Sequence, residues 1–174
     1  MTLSDLPLSF IRTFAVLFGL LWGSFLNVVI YRVPRGMNVA FPASHCPGCG
    51  KPIAPYDNIP VLSYLILRGR ARCCKSKMSP RYPLVELIGG VLAFAIVEVI
   101  LIPQANSIGM GRAGAIFLAD FALALGLVAA AFIDAEHMFL PDSITLGGAV
   151  LGVGTASFRN MTYLDSISGE VIGF

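Results

Sequence analysis

Residues 10–31 read FIRTFAVLFGLLWGSFLNVVIY, a run broken by a single charge, Arg12. About 20 mostly apolar residues match the hydrocarbon thickness of a bilayer. Inside hydrocarbon every backbone N–H and C=O must be paired within the protein, so a lone run of this length can only be an α-helix. The pattern recurs at Leu84–Ile102 and at Ala113–Ile133. A fourth apolar run starts near Ile144 and fades at Phe158, which is short for a span. A fifth opens at Val171 and meets the last residue, Phe174, almost at once, so the 174 residues read as part of a longer chain.

The first run differs from a cleaved signal. No basic stretch precedes it, it exceeds the roughly 7–15 apolar residues of a signal core, and YRVPR follows it in place of a small-residue cleavage site. It is predicted to be a retained anchor.

Charge supplies the orientation. Only 13% of the chain is charged, against about 25% in an average soluble domain. Nine of the twelve Lys and Arg residues fall between Arg32 and Arg81, where Asp57 is the only acid. The positive-inside rule places this loop in the cytoplasm. The N-terminus and the Pro103–Arg112 connection then face outward, and the turn from Asp134 to Ser143 returns to the cytoplasmic side. The predicted class is an all-α polytopic membrane protein with a small cytoplasmic zinc-knuckle-like lobe. Its parts are a first span in 1–31, a cytoplasmic Cys-bearing basic loop in 32–82, and further spans in 83–174 with a polar turn near 134–143. The lipid bilayer is the first partner this implies, and no nucleic acid is expected among the others.

All four cysteines lie in the basic loop, in a compartment that keeps thiols reduced. Cys46-Pro47-Gly48-Cys49-Gly50 has the form of a zinc knuckle: two thiolates spaced C-x-x-C hold one ion from a tight turn. Cys73-Cys74 completes a Cys₄ set on paper. Adjacent cysteines are poor chelators in extended chain, where successive side chains point to opposite faces, so His45 or only one of the pair is an alternative ligand. A redox C-x-x-C and four unliganded thiols are the rival readings; the first normally accompanies a βαβ pattern that this chain lacks. Seven prolines between Pro34 and Pro80 exclude long helices in the loop. A lobe of about 50 residues buries too little apolar area to fold unaided, and structural zinc would contribute folding energy directly.

Acids within spans are functional candidates by default. Glu86 falls near the cytoplasmic end of the second span, where a helix-end role suffices. Glu98 and Asp120 fall toward the outer halves of adjacent spans and are expected to pair structurally, across helices or with Arg112. Asp134 ends the third span in AFIDAEHMFLPD, with His137 one turn on and Pro141 beyond to stop the helix. Taken locally, this is an interfacial turn that solvation alone explains. Asp120 and Asp134 are about 21 Å apart along one helix, and carboxylates that share a proton lie about 3 Å apart. They cannot form one dyad.

Five stretches in order, GSFLNVVIYRVPR (Gly23–Arg35), CPGCG, NIPVLSYLILRGR (Asn58–Arg70), SPRYPLVEL (Ser79–Leu87) and FIDAEHMFLPDSITL (Phe132–Leu146), resemble the type IV prepilin peptidases. The resemblance implies a bacterial inner-membrane, multi-pass aspartic peptidase. Such an enzyme cuts the basic leader of type IV prepilins, or of type II secretion pseudopilins, on the cytoplasmic side. It further implies N-methylation of the new N-terminus with S-adenosylmethionine, although no glycine-rich methyl-donor motif occurs here. Asp134 matches the family's first catalytic aspartate. The second normally sits in Gly-x-Gly-Asp, and no such string is present; Gly109-Met110-Gly111-Arg112 precedes Asp134 and ends in Arg. These 174 residues are therefore expected to be inactive by themselves. The family's second thiol pair is also C-x-x-C. Aligned on Ser79, its first position falls on Ala71 and its second on Cys74, so Cys73 must shift in to complete a set of Cys46, Cys49, Cys73 and Cys74. A non-catalytic zinc-lobed membrane scaffold, or a degenerate paralogue, is the alternative in another class.

Overall fold

The computed structural model describes residues 2–46, 48–138 and 142–155, with side chains in the last stretch from residue 145 onward. The helices are α1 (Leu8–Arg32), α2 (Leu62–Ile66), α3 (Arg81–Ile96), α4 (Met110–His137) and α5 (Asp142–Gly154). Among the described residues there is no strand, only isolated β-bridges. Among the described residues, three helical stretches are long and apolar enough to cross a membrane: Leu8–Arg35, Arg81–Gln104 and Met110–His137. They coincide with the three expected spans and outrun each by a few residues. The fourth run forms α5, shorter than a span; its expected end at Phe158 and the run from Val171 lie outside the described residues. The protein is thus an all-α, multi-pass membrane protein.

The chain divides into two compact units, Thr13–Phe94 and Met1–Arg12 with Ala95–Phe174. The first unit pairs α1 with α3 through small residues. A methyl group added at Gly19 would run into the Gly89 carbonyl oxygen, and one at Gly23 would lie 2.8 Å from the Glu86 Cα. Lipid offers apolar side chains no preference for one another, so close backbone contact supplies the packing energy, and only glycine permits it here. Asn27, buried in α1, donates from Nδ2 to the Tyr82 carbonyl oxygen at 3.1 Å and fixes the crossing near the start of α3. The Arg32 guanidinium, also buried, donates to the carbonyls of Asn38, Val39 and Pro42, folding the chain back as α1 ends. The loop that follows holds one five-residue α-helix and two short 3₁₀ helices, Val33–Arg35 and Pro55–Asn58, and its prolines exclude anything longer.

In the second unit the N-terminal residues run beside the 105–109 connection. The Leu3 N–H donates to Ile108 and the Ser4 N–H to Ala105, while Thr2 bridges to Gly109. The helix begun by α3 widens to a π-turn at Val97–Leu101. Within that turn Glu98 accepts two hydrogen bonds from the Arg12 guanidinium, the Nη2 bond at 2.9 Å. The partner anticipated for Glu98 was on its neighbouring span or at Arg112; it is Arg12 instead. α4 runs unbroken past both Asp120 and Asp134 and packs on α5.

Candidate functional site

Two turns of the loop carry the thiols, and their backbones are the same. In the first, His45 bridges to Pro52, the Cys46 N–H donates to the Lys51 carbonyl at 2.8 Å, and the Gly50 N–H donates to the Cys46 carbonyl at 2.8 Å. In the second, Arg70 bridges to Lys77, the Ala71 N–H donates to Ser76 at 2.8 Å, and the Lys75 N–H donates to Ala71 at 2.9 Å. Gly50 and Lys75 fill equivalent positions with φ of 70° and 60°. Ala71 thus stands where Cys46 stands, and Cys74 where Cys49 stands. The alignment made on Ser79 predicted this offset.

The turns face each other through sulfur. Cys46 Sγ lies 3.6 Å from Cys74 Sγ, Cys49 Sγ lies 3.1 Å from Cys73 Sγ, and all four sulfurs fall within 4.8 Å of one another. A tetrahedral zinc ion with sulfurs at ~2.3 Å would set them roughly 3.8 Å apart. The four cysteines could therefore hold such an ion with small adjustments. Adjacent Cys73 and Cys74 both reach the cluster because the chain is turning there; the alternation of an extended segment does not apply. His45 is outside the cluster, exposed, with Nδ1 3.4 Å from the Ala43 carbonyl oxygen.

The electrostatics favour thiolate at Cys46 and at Cys74. The backbone N–H of Gly48 chiefly draws the Cys46 thiol down to about 6. The hydroxyl of Ser76, then its backbone N–H, lowers Cys74. Cys73 is pushed up to about 12, first by its hydrogen bond with Cys49 and then by that with Cys46. Beside the cluster, the Arg72 guanidinium donates to both Asp57 oxygens at 2.8–3.1 Å and stacks over Tyr56. That pair ties residues 56–57 to the second turn.

Of the four carboxylates, two are visibly structural. Glu98 is paired as described. Glu86 is buried and accepts the Val61 N–H at 2.7 Å. Asp120 is half-buried within α4. Asp134 differs from all of these: it sits one turn before the end of α4, is exposed, and has no side-chain partner among the described residues. Its carbonyl accepts the N–H of Met138, whose φ of 51° ends the helix in a left-handed cap before Pro141 is reached. His137 is exposed on the same last turn.

Two family models match the chain. Residues 17–100 match the bacterial peptidase A24 N-terminal domain, and residues 121–174 match the type IV leader peptidase family. Among curated proteins, the chain is 43% identical over 180 residues to a prepilin leader peptidase/N-methyltransferase of Myxococcus xanthus, covering 100% of this chain and 50% of that protein. A prepilin leader peptidase/N-methyltransferase of Klebsiella pneumoniae is 41% identical, with 93% and 69% covered. A type 4 prepilin-like proteins leader peptide-processing enzyme of Escherichia coli O78:H11 is 38% identical, with 90% and 61% covered. The chain thus spans between half and about two thirds of the length of these relatives. No solved structure matches it.

Proposed function

Because the chain belongs to the type IV leader peptidase family, we propose that it supplies the first catalytic carboxylate, Asp134, of a membrane aspartic peptidase that removes the basic leader of prepilins or pseudopilins. The observation that carries this reading is an ionisable group left exposed, with no side-chain partner among the described residues, on the last turn of a span and within the segment matched by the leader-peptidase model. An acid at that position is hydrated on one side and reaches the membrane surface, where a substrate with a basic leader and an apolar helix would present its junction.

In this mechanism one carboxylate is ionised and the other protonated. The ionised one takes a proton from water as the oxygen attacks the scissile carbonyl, and the protonated one donates to the carbonyl oxygen. No covalent intermediate forms. The second carboxylate belongs to a Gly-x-Gly-Asp segment that the 174 residues do not contain. Relatives named N-methyltransferases support a second activity, methylation of the new N-terminus, for which S-adenosylmethionine supplies the methyl group when bound; no residue of this chain is assigned to holding it. Zinc, held by Cys46, Cys49, Cys73 and Cys74, has a structural role and keeps the small lobe folded. The positive-inside rule sets that lobe in the cytoplasm.

In a chain that also carries the second aspartate, Asp134→Asn should lower prepilin cleavage about 10²–10⁴-fold, the range for a lost general base, while membrane insertion is unchanged. Cleavage at the wild-type rate would remove Asp134 from the chemistry. The 174 residues alone should cleave nothing; activity would mean that Asp134 pairs with an acid already present, Asp142 first. A reporter fused after Lys51 should read cytoplasmic and one fused at Gly109 periplasmic, and the reverse would put Asp134 on the wrong face.

A further inference from the structure

The geometry points to α2 as a membrane-surface anchor: Leu62, Leu65 and Ile66, with Ile59 just before them, insert into the headgroup–acyl boundary of the leaflet next to the lobe. The inference rests on α1 and α3 being spans, and not on the peptidase reading.

Depth is fixed by a single side chain. Glu86 is the sixth residue of α3, about 7.5 Å along the axis from Arg81, and side chains on a helix lean toward its N-terminus. Its carboxylate accepts the Val61 N–H, the residue immediately before α2. The start of α2 is thereby held beside the first turn and a half of a span, and not out in the aqueous loop. At the same level Leu84 is half exposed, the first residue of the outward apolar band that continues through Leu87 and Val91.

At this depth α2 shows a face unsuited to water. Leu62, Leu65 and Ile66 share one side by their i, i+3, i+4 spacing, and they are 51%, 64% and 65% exposed. A five-residue helix has little stability of its own in water. Contiguous aliphatic exposure of this kind marks a contact surface.

Charge selects the occupant. Arg68 and Arg70, both exposed, follow α2 directly, and Arg35 lies exposed just past the end of α1. The only acid of the loop, Asp57, is already bound by Arg72. Anionic headgroups complement such a surface, whereas a basic leader peptide would be repelled by it. Short apolar anchors flanked by arginine lie in the interface plane, with the guanidinium groups among the headgroups.

The chain has one tryptophan, Trp22, so a probe can be moved. In a Trp22→Phe background, Leu65→Trp and separately Ile66→Trp would be reconstituted into vesicles of phosphatidylethanolamine and phosphatidylglycerol, with or without bromine on the upper acyl chain. Resistance of the 32–82 loop to limited proteolysis equal to the parent's shows that each variant keeps its lobe. The expected result is blue-shifted emission, strongly quenched by the brominated lipid, and more so with phosphatidylglycerol than in purely zwitterionic vesicles. Red emission without quenching would overturn the anchor, since α2 would then face water. Blue emission without quenching would overturn it in favour of a covering protein, such as a second copy. Equal quenching in both lipid mixtures would overturn the assignment of Arg68 and Arg70 to headgroups.

Discussion

The turn closed by the His45–Pro52 bridge and the turn closed by the Arg70–Lys77 bridge make the same pair of backbone hydrogen bonds, yet only the first carries cysteine at both ligand positions. In the second, Ala71 occupies one of them, buried and inert, and Cys73 supplies its sulfur from inside the turn. The backbone therefore does not need the full ligand set to adopt the knuckle. Hydrogen bonds and the left-handed residue at its fifth position define the shape, and the thiols are placed on it afterward. A thiol displaced by two residues can still reach the cluster, but it is pushed up where Cys46 and Cys74 are drawn down.

That contrast predicts a ranking. Cys46→Ser, Cys49→Ser and Cys74→Ser remove sulfur from the shared positions and should have the largest effect: loss of the expected content of about one zinc per chain, read by metal analysis under reducing conditions, with the lobe becoming protease-sensitive. If none of the three changes metal content, zinc binding itself is wrong. Cys73→Ser should be milder, weakening retention against a chelator while leaving metal bound in its absence. Equal losses for Cys73 and Cys74 would erase the distinction between the two turns. Ala71→Cys in the Cys73→Ser background should restore the regular arrangement and slow metal release below that of Cys73→Ser alone. A smaller effect belongs to the fifth position. Lys75 holds φ of 60°, a conformation costing about 1–2 kcal/mol for a residue with a Cβ; Lys75→Gly should recover up to about 1 kcal/mol in a denaturation measurement, and Gly50→Ala should cost a similar amount. The smallest concerns Asp57, whose carboxyl is held below the usual range by Arg72. Its stabilising contribution is complete above the unfolded value of about 3.9 and disappears as pH falls through the lower folded value. An acid titration of Asp57→Asn should therefore lack one late step that the parent shows, with no difference between them near neutrality beyond the lost ion pair.

Much of this was legible in the sequence because each signal was local. Three spans were set by runs of apolar residues, and the structure extends them only into their polar ends. The knuckle at 46–50 could be read from spacing, and the offset at Ala71 from the resemblance to a family whose second pair is also C-x-x-C. Two things could not. The argument against adjacent Cys73 and Cys74 assumed extended chain, and the turn that overrides it depends on backbone bonds from Ala71 and Lys75 that no spacing rule encodes. The partners of Glu86 and Glu98 also escaped: one is a backbone N–H at Val61, and the other is Arg12, distant in the chain and noted beforehand only as a lone charge in the first span. Long-range pairing of this kind is decided by how helices pack, and a single sequence holds no direct record of that. Asp134 was one of four candidates from its place at the end of a span, and only the resemblance proposed a catalytic role for it, since an exposed acid at a helix end carries no local mark of chemistry.

The Arg12–Glu98 pair joins residues 86 positions apart, and this separation has a meaning in time as well as in space. At a synthesis rate of about 5–20 residues per second, Arg12 is synthesised roughly 4–17 s before Glu98. Until then the cation, the fifth residue of α1, lacks this partner, and burying it in hydrocarbon is costly. Seating it at its final depth becomes favourable only when the third hydrophobic turn beyond Gly90 has been made. Biogenesis of this protein is in that sense delayed closure: the earliest helix is completed by one of the later ones. Arg12→Leu should abolish the delay, which a force-sensitive arrest-peptide profile along the nascent chain would reveal as the loss of a second pulling event near residue 98.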